Sequence, residues 1–229
     1  MPLIIGVTGS IASGKSLVCG TLQELGAAYC DADKLVHRLY DPGTPGFDRV
    51  VAAFGREIVG PDGFIDRRIL GAKVFGKPQE MRRLTEAIGN IGEAVKGVID
   101  GWRDSLGPDG AAVIEAVNLI EAGYSAWCDQ TWLVTCDRDE ARRRLIARNG
   151  FTEEEADQRL ASQRDPALRE PASDFVIRND GDPTATVQAV REEFDRIQAL
   201  YREGALPPSR FHGWWEAVRA RRTGQGATS

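Results

Sequence analysis

The chain has little of what metal centres and disulfide scaffolds need. It contains two histidines, His37 and His212, and four scattered cysteines without a C-x-x-C pair. This excludes a zinc site or a disulfide framework as its main feature, and reduced thiols favour a cytoplasmic location. No apolar run is long enough for a membrane helix. The apolar segment Leu3–Val7 follows Met1 so closely that we expect no signal peptide.

Basic residues are also in the minority. The chain has 29 Lys and Arg against 34 Asp and Glu, a net charge of −5 and a pI near 5.2. We therefore expect neither a nucleic-acid-coating surface nor a membrane partner, whereas a local site for a nucleotide phosphate stays open. The length of 229 residues and the 42% hydrophobic fraction suit one α/β domain with a buried core.

The most informative segment runs from Gly9 to Ser16 and matches the P-loop pattern G-x-x-x-x-G-K-[ST]. An apolar strand segment precedes it, and a helical segment from Lys15 to Leu25 follows. Such a turn collects backbone N–H groups around a phosphate, Lys15 reaches the β- and γ-phosphates, and Ser16 ligates Mg²⁺. The sequence thus predicts ATP and Mg²⁺ as ligands. The expected nucleotide-binding residues are Gly9, Ser10, Ile11, Ala12, Ser13, Gly14, Lys15, Ser16 and Leu17.

Apolar segments that alternate with helical ones predict an α/β fold with a parallel five-stranded sheet flanked by helices. The predicted strands are Leu3–Val7, Ala27–Cys30, Ala111–Ala116, Thr131–Thr135 and Phe175–Ile177. Residues 32–108 exceed what one crossover helix needs, so we expect a helical insertion there that binds the acceptor. Asp182-Pro183 opens a predicted helix through Arg202. Residues 1–203 form one predicted kinase-like domain, and 204–229 a C-terminal extension with a disordered end.

Carboxylates follow two of the predicted strands. Asp33 comes just after the second strand and is the candidate base that accepts a proton from a substrate hydroxyl. The alternative is that Asp33 caps a helix over Lys34–Tyr40. Asp31 is a candidate for holding Mg²⁺ or for orientation. Glu115 ends the third strand and is a second candidate Mg²⁺ anchor, with a surface cap as its alternative.

The segment 138–173 is heavily charged and is the predicted lid. Its arginines form a solvated, ion-paired helix pair in one interpretation, whereas in the other one or two of them contact the transferring phosphate. We select Arg148 and Arg159 for the second role. The arginines of the segment are Arg138, Arg142, Arg143, Arg144, Arg148, Arg159, Arg164 and Arg169.

The C-terminal extension carries Phe211, Trp214 and Trp215 among arginines. Interleaved aromatic and basic residues can stack on nucleic-acid bases. Tryptophans near a C-terminal helix more often dock on the body of a domain, so docking is the preferred interpretation.

Taken together, these motifs resemble the dephospho-CoA kinase family. The opening strand and loop, Asp31-Ala32-Asp33, Asp62-Gly63 with Asp66-Arg67-Arg68, and a lid pattern from Arg144 to Gly181 carry the resemblance, which covers residues 3–201. It implies a P-loop kinase fold that phosphorylates the ribose 3′-hydroxyl of dephospho-coenzyme A with ATP. It also implies that Asp33 is the base and that Asn179 lies near the adenine.

Two departures from the family pattern concern the acceptor side. Asn90-Ile91 stands where the family has His-Pro, and Val117-Asn118 where it has Pro-Leu. We expect a groove for the pantetheine arm of dephospho-CoA, with Phe54, Val59, Phe64 and Phe75 as candidate lining residues. The alternatives are another small-molecule or nucleoside-type kinase, or an ATP-binding regulator with little turnover. An Asn-Lys-x-Asp run, which a GTPase would need, is missing from the sequence.

Overall fold

The computed structural model describes residues 1–163 and 165–224. Arg164 of the predicted lid and the end of the extension, residues 225–229, lie outside the described residues. Among the helices of the described part, none is both long and apolar enough to cross a bilayer.

Five strands form one sheet in the order β2-β3-β1-β4-β5. β1 pairs in parallel with β3 and with β4, and β4 pairs in parallel with β5. All seven residues of the central strand β1 are buried, as expected for a strand covered on both faces. The predicted α/β fold is therefore confirmed, with strand ends shifted by up to two residues. The strands are β1 (Leu3–Gly9), β2 (Ala28–Asp31), β3 (Ala111–Glu115), β4 (Gln130–Thr135) and β5 (Phe175–Arg178).

The described chain contains ten helices. They are α1 (Lys15–Glu24), α2 (Ala32–Arg38), α3 (Pro45–Phe54), α4 (Arg67–Val74), α5 (Pro78–Ile88), α6 (Ile91–Ser105), α7 (Arg138–Asn149), α8 (Glu153–Ala161), α9 (Pro183–Arg202) and α10 (Arg210–Gly224). Short 3₁₀ turns occupy Arg56–Ile58, Tyr124–Trp127, Pro166–Leu168 and Glu170–Ala172.

Local capping signals explain where several helices begin. Asp182 accepts a hydrogen bond from the Thr184 N–H and Pro183 takes the first position of α9, as its sequence predicts. Thr152 and Glu155 form a reciprocal capping box at the start of α8. These side chains satisfy backbone N–H groups that a helix leaves without partners at its start.

The chain divides into two compact units. The first comprises Met1–Cys30 and the chain from Ile99 onward, and the second comprises Asp31–Val98. The core of the first unit joins the sheet to α1 and α9, with Trp132 and Phe194 among its largest side chains. A separate core in the second unit is built from side chains of its own helices and turns, and it overlaps the span predicted to be a helical insertion.

Candidate functional site

The phosphate loop connects β1 to α1, and its glycines stand where a side chain has no room. A Cβ at Gly14 would lie 1.9 Å from Asn179 Nδ2, and φ at Gly14 is 100°. A Cβ at Gly9 would lie 2.3 Å from the Val134 carbonyl oxygen. The close approach of two neighbouring segments therefore explains both fixed glycines of the pattern.

Lys15 folds back across the loop. Its Nζ donates to the Gly9 and Ser10 carbonyl oxygens at 3.0 and 3.1 Å, and the residue is buried. A cavity of about 470 Å³ opens beside it, and the exposed Ser16 shares its wall. The lining residues are Ala12, Gly14, Lys15, Ser16, Arg143, Arg144, Ala147 and Arg148. The structure thus brings the predicted lysine, serine and Arg148 to one cavity.

Asn179 supports the phosphate loop from a buried position. Its Nδ2 donates to the Ser13 carbonyl oxygen at 2.9 Å, and its Oδ1 accepts from Thr186 Oγ1 at 2.9 Å. Since Asn179 is only 3% exposed, these contacts place the side chain against the loop. The side chain therefore contacts the loop, and the position near the adenine that the resemblance implies stays a prediction.

Arg144 also contacts the loop from a distant part of the sequence. Its guanidinium donates to the carbonyl oxygens of Ala12 at 3.3 Å, Ser13 at 3.4 Å and Asn179 at 2.9 Å. Glu140 accepts from its Nε at 2.7 Å. Arg144 therefore joins α7 to the loop and to the residue that follows β5.

The two arginines selected from the sequence lie in different places. Arg148 follows Arg144 by one helical turn, lines the cavity and donates from Nε to Asn149 Oδ1 at 3.0 Å. Arg159 is exposed, with its guanidinium carbon 4.2 Å from the centroid of the Phe151 ring. Arg159 is not among the residues that line the cavity beside Lys15.

Glu115 ends β3 in register with Val7 of β1. Its carboxylate is largely buried, and Oε2 accepts a hydrogen bond from the Tyr29 hydroxyl at 2.8 Å. The alternative of a surface cap is therefore wrong, because this side chain is enclosed and bonded to another strand. Within the described residues, no group of three or more His, Cys, Asp or Glu side chains could enclose a metal.

Asp31 and Asp33 belong to the second unit. Asp31, not Asp33, caps α2: its Oδ1 accepts from the Lys34 N–H at 3.0 Å and its Oδ2 pairs with Lys34 Nζ at 3.2 Å. The capping alternative for Asp33 is therefore wrong. Asp33 lies exposed in the first turn of α2, where a negative charge is favoured by the helix dipole.

Histidine and tyrosine side chains follow Asp33 on the same segment. His37 stands one turn after Asp33, and its Nδ1 hydrogen-bonds the Tyr40 hydroxyl. Burial and the nearby Arg67 lower the pKa of His37, against the opposing effect of nearby aspartates. Burial raises the pKa of Tyr40. Both side chains therefore favour their neutral forms near neutral pH.

A second cavity, of about 410 Å³, lies in the second unit. Of the four predicted groove residues, only Phe64 lines it. Phe54 is part of the core of that unit, and Val59 packs against this core. Phe75 is exposed and does not line the cavity. The groove prediction is thus wrong for Phe54, whose side chain fills the core. The lining residues are Tyr40, Asp41, Asp62, Phe64, Ile65, Asp66, Arg67 and Arg68.

Sequence reasoning did not assign a site role to Arg144 or Gln163, which contact the phosphate loop, or to Thr186, which bonds to Asn179. Gln163 Oε1 accepts from the Ile11 N–H of the loop at 2.7 Å. The spacing of Arg144 and Arg148, four residues apart, was a usable signal because it places both on one helix face. No local pattern indicated the contacts of Thr186 or Gln163.

Comparison with known proteins agrees with this geometry. A family model described as dephospho-CoA kinase matches residues 3–184. A dephospho-CoA kinase of Symbiobacterium thermophilum is 43% identical over 182 residues, which cover 78% of this chain and 74% of the relative. One of Geobacter sulfurreducens is 40% identical over 191 residues, which cover 82% and 95%.

Solved structures show the same fold. TT1252 of Thermus thermophilus superposes with a TM-score of 0.69 at 27% identity and covers 86% of this chain and 98% of its own. The dephospho-CoA kinase of Campylobacter jejuni gives a TM-score of 0.57 at 21% identity and covers 84% and 96%. The family match spans most of the chain, including the phosphate loop, the whole second unit and the first unit as far as residue 184. The chain belongs to the dephospho-CoA kinase family.

Proposed function

We propose that this protein transfers the γ-phosphoryl group of ATP to the ribose 3′-hydroxyl of dephospho-CoA, giving coenzyme A and ADP. The observation that carries the proposal is the family match over residues 3–184, within which the phosphate loop and its cavity are built as nucleotide binding requires. Phosphoryl transfer depends on positioning and electrostatic stabilisation, and this loop supplies both.

On the donor side, the backbone N–H groups of the loop and the Lys15 ammonium hold the β- and γ-phosphates. Lys15 leaves the carbonyl oxygens of Gly9 and Ser10 and contacts phosphate oxygens instead. Arg148 lines the same cavity and neutralises charge on the transferring group. Arg159 is the second lid arginine proposed to contact the transferring phosphate. To do so, its guanidinium must leave the Phe151 ring.

The residues present fit Mg²⁺. Ser16 offers an exposed hydroxyl on the wall of the cavity, and Glu115 and Asp31 are the candidate carboxylates. A site with few protein ligands suits Mg²⁺, which keeps several waters and binds through substrate phosphates. When bound, the cation neutralises charge on the β- and γ-phosphates.

Asp33 is the proposed base. Its carboxylate accepts the proton of the 3′-hydroxyl while the oxygen bonds to the γ-phosphorus and the bond from that phosphorus to the bridging oxygen of ADP breaks. Two observations support the role: Asp33 is exposed, and Asp31 already caps the helix. The Asp33 carboxylate is therefore not required for the helix start.

The second unit is the proposed acceptor region. Its cavity presents Arg67 and Arg68 to an anionic group and the half-exposed Phe64 ring to an apolar one. Dephospho-CoA carries both, as a diphosphate and a pantetheine arm. The departure at Asn90 has a structural explanation, because Asn90 Oδ1 accepts from the Glu93 N–H at the start of α6.

The test is a coupled assay of ADP release with ATP, Mg²⁺ and a panel of acceptors. We expect kcat/KM for dephospho-CoA to exceed that for adenosine by much more than tenfold, which is about 1.4 kcal/mol of transition-state binding. Nucleoside monophosphates and shikimate serve as the other acceptors. Equal use of dephospho-CoA and adenosine, or no transfer to dephospho-CoA, would contradict the proposed acceptor.

A further inference from the structure

Helix α10 lies beyond the part of the chain that the family model matches, which ends at residue 184. Its start is tied to the sheet by one carboxylate. Asp174 accepts from Ser209 Oγ and from the Arg210 N–H, each at 2.7 Å, and from the Thr131 N–H of β4 at 2.6 Å. The extension is therefore docked, as its tryptophans predict.

Phe211 is the centre of the docking contact. It is fully buried and packs with Ile120 and Ala172, and the rings of Trp214 and Trp215 cover this cluster. The ring centroids of Phe211 and Trp215 are 5.4 Å apart. α10 therefore rests on two segments that are distant in sequence, one after β3 and one at the end of the predicted lid.

Both segments carry one partner of a buried ion pair. Ile120 precedes Glu121, and Ala172 follows Arg169 by three positions. Arg169 Nε donates to Glu121 Oε1 at 2.8 Å, and the two side chains are 4% and 15% exposed. Arg169 Nη1 and Glu121 Oε2 are buried without a partner among the described residues. Among the described residues, the two side chains meet in this hydrogen-bonded ion pair, so the geometry of the pair depends on the packing around it.

The segment after β3 also contacts the strand that leads to the phosphate loop. Thr8 Oγ1 donates to the Val117 carbonyl oxygen at 3.0 Å, and Thr8 directly precedes Gly9. Leu119 packs so closely against β1 that a Cβ at Gly6 would lie 2.6 Å from its Cδ2. A shift of this segment would thus be transmitted towards the phosphate loop.

We propose that Phe211 is a positioning residue for phosphoryl transfer. By packing on Ile120 and Ala172, it holds the Glu121–Arg169 pair, and with it the segment after β3 and the end of the lid, in the geometry that catalysis requires. Phe211 touches no substrate in this role. The kinetic part of the inference rests on the proposed function, whereas the structural part does not.

The test compares Phe211→Ala with the conservative Phe211→Leu and with Glu216→Ala, an exposed position on the same helix. We expect Phe211→Ala to lower kcat roughly tenfold, because small displacements of a site are costly, while ATP-analogue binding stays within about twofold. Amide hydrogen exchange should accelerate at residues 118–123 and 168–173. Phe211→Leu should keep kcat and the exchange protection of both segments close to the wild-type values, and Glu216→Ala should change neither kcat nor exchange.

Normal kcat despite accelerated exchange would overturn the inference, as would unchanged exchange in both segments. A uniform loss of exchange protection and of nucleotide binding would show a merely structural role for Phe211. If Phe211→Ala does not fold, Phe211→Leu must show a smaller decrease of the same pattern. A wild-type protein that does not phosphorylate dephospho-CoA would contradict the proposed function alone, because the exchange comparison still decides whether α10 holds the two segments.

Discussion

The two regions that the proposed reaction uses are built in opposite ways. Side chains from distant segments hold the phosphate loop: the buried Asn179 bonds to Ser13, and the partly buried Arg144 bonds to Ala12. In the second unit, short-range contacts shape the surroundings of Asp33: Asp31 caps α2, and His37 bonds to Tyr40 within the next turn. The donor site is thus supported by tertiary structure, whereas the proposed base depends on a helix that organises itself.

The backbone of the phosphate loop shows why it needs that support. Ala12 is the one non-glycine residue of the described chain with a positive φ, at 61°. Such a conformation is unfavourable for a residue with a Cβ and persists only where surrounding contacts impose it. Arg144 and the Cys136 thiol both donate to the Ala12 carbonyl oxygen. Burial raises the pKa of Cys136, so this thiol stays a protonated donor.

Because local contacts shape the surroundings of Asp33, we expect that this exposed residue can be replaced without structural damage. Asp33→Asn should reduce kcat by roughly 10²–10⁴-fold, because an amide cannot accept the proton of the acceptor hydroxyl. Folding stability and ATP binding should hardly change, since Asp31 supplies the cap. Asp48→Asn, the same change in the first turn of α3, is the matched control. Steady-state kinetics measure kcat, and urea unfolding measures the folding stability, for both variants. An unchanged kcat for Asp33→Asn would return Asp33 to a structural role.

The next largest effect should come from Lys15. Lys15→Ala removes the ammonium that neutralises the transferring phosphoryl group, so kcat should fall on the order of 10²–10³-fold. Lys15 Nζ donates to the carbonyl oxygens of Gly9 and Ser10 within the loop itself, and we expect a much smaller change in unfolding free energy. Lys77→Ala, at an exposed lysine of the second unit, is the control. Near-normal turnover would contradict the proposed P-loop mechanism.

A third variant tests whether the phosphate loop depends on buried support. Thr186→Val keeps the shape of the side chain and leaves Asn179 Oδ1 without its bond to Thr186 Oγ1. A buried acceptor without a partner costs roughly 1–3 kcal/mol, so unfolding free energy should drop by that amount and KM for ATP should rise. Thr85→Val removes an exposed hydroxyl from α5 and should do neither. If unfolding free energy and KM for ATP change equally in the two variants, the phosphate loop does not depend on buried support in the way proposed.

The difference between local and long-range contacts also explains which features could be predicted from the sequence. The five strands and the phosphate loop follow from local apolar runs and strictly spaced glycines, and the structure contains them. The side chains that contact the loop come from residues 124 to 166 positions away, and no local pattern encodes such pairs. The capping alternative for α2 named Asp33, two positions after the observed cap, because Asp31 and Asp33 have equal capping propensity. Only the extended backbone at Asp31 decides between them.

The smallest expected effect concerns the pH dependence of the second unit. The pKa of His37 is lowered in the folded protein by burial first and by Arg67 second, while Asp33, Asp31 and Asp41 act in the opposite direction. The unfolded chain, with the ordinary value of 6.5, therefore binds a proton on acidification before the folded chain does. The contribution of His37 to stability is complete above 6.5 and declines as pH falls from there towards the lowered value.

The His37→Phe variant should remove this decline. We expect the unfolding free energy of the wild type to fall more steeply than that of the variant when urea unfolding is followed through the pH range just below 6.5. His212→Phe, at an exposed histidine of α10, is the matched control for the substitution itself. Because the bond from His37 to Tyr40 is local, KM for ATP should not change in either variant. Identical slopes for the wild type and His37→Phe would show that the burial of His37 adds no pH dependence, and the self-organised surroundings of Asp33 would then extend no further than the Asp31 cap.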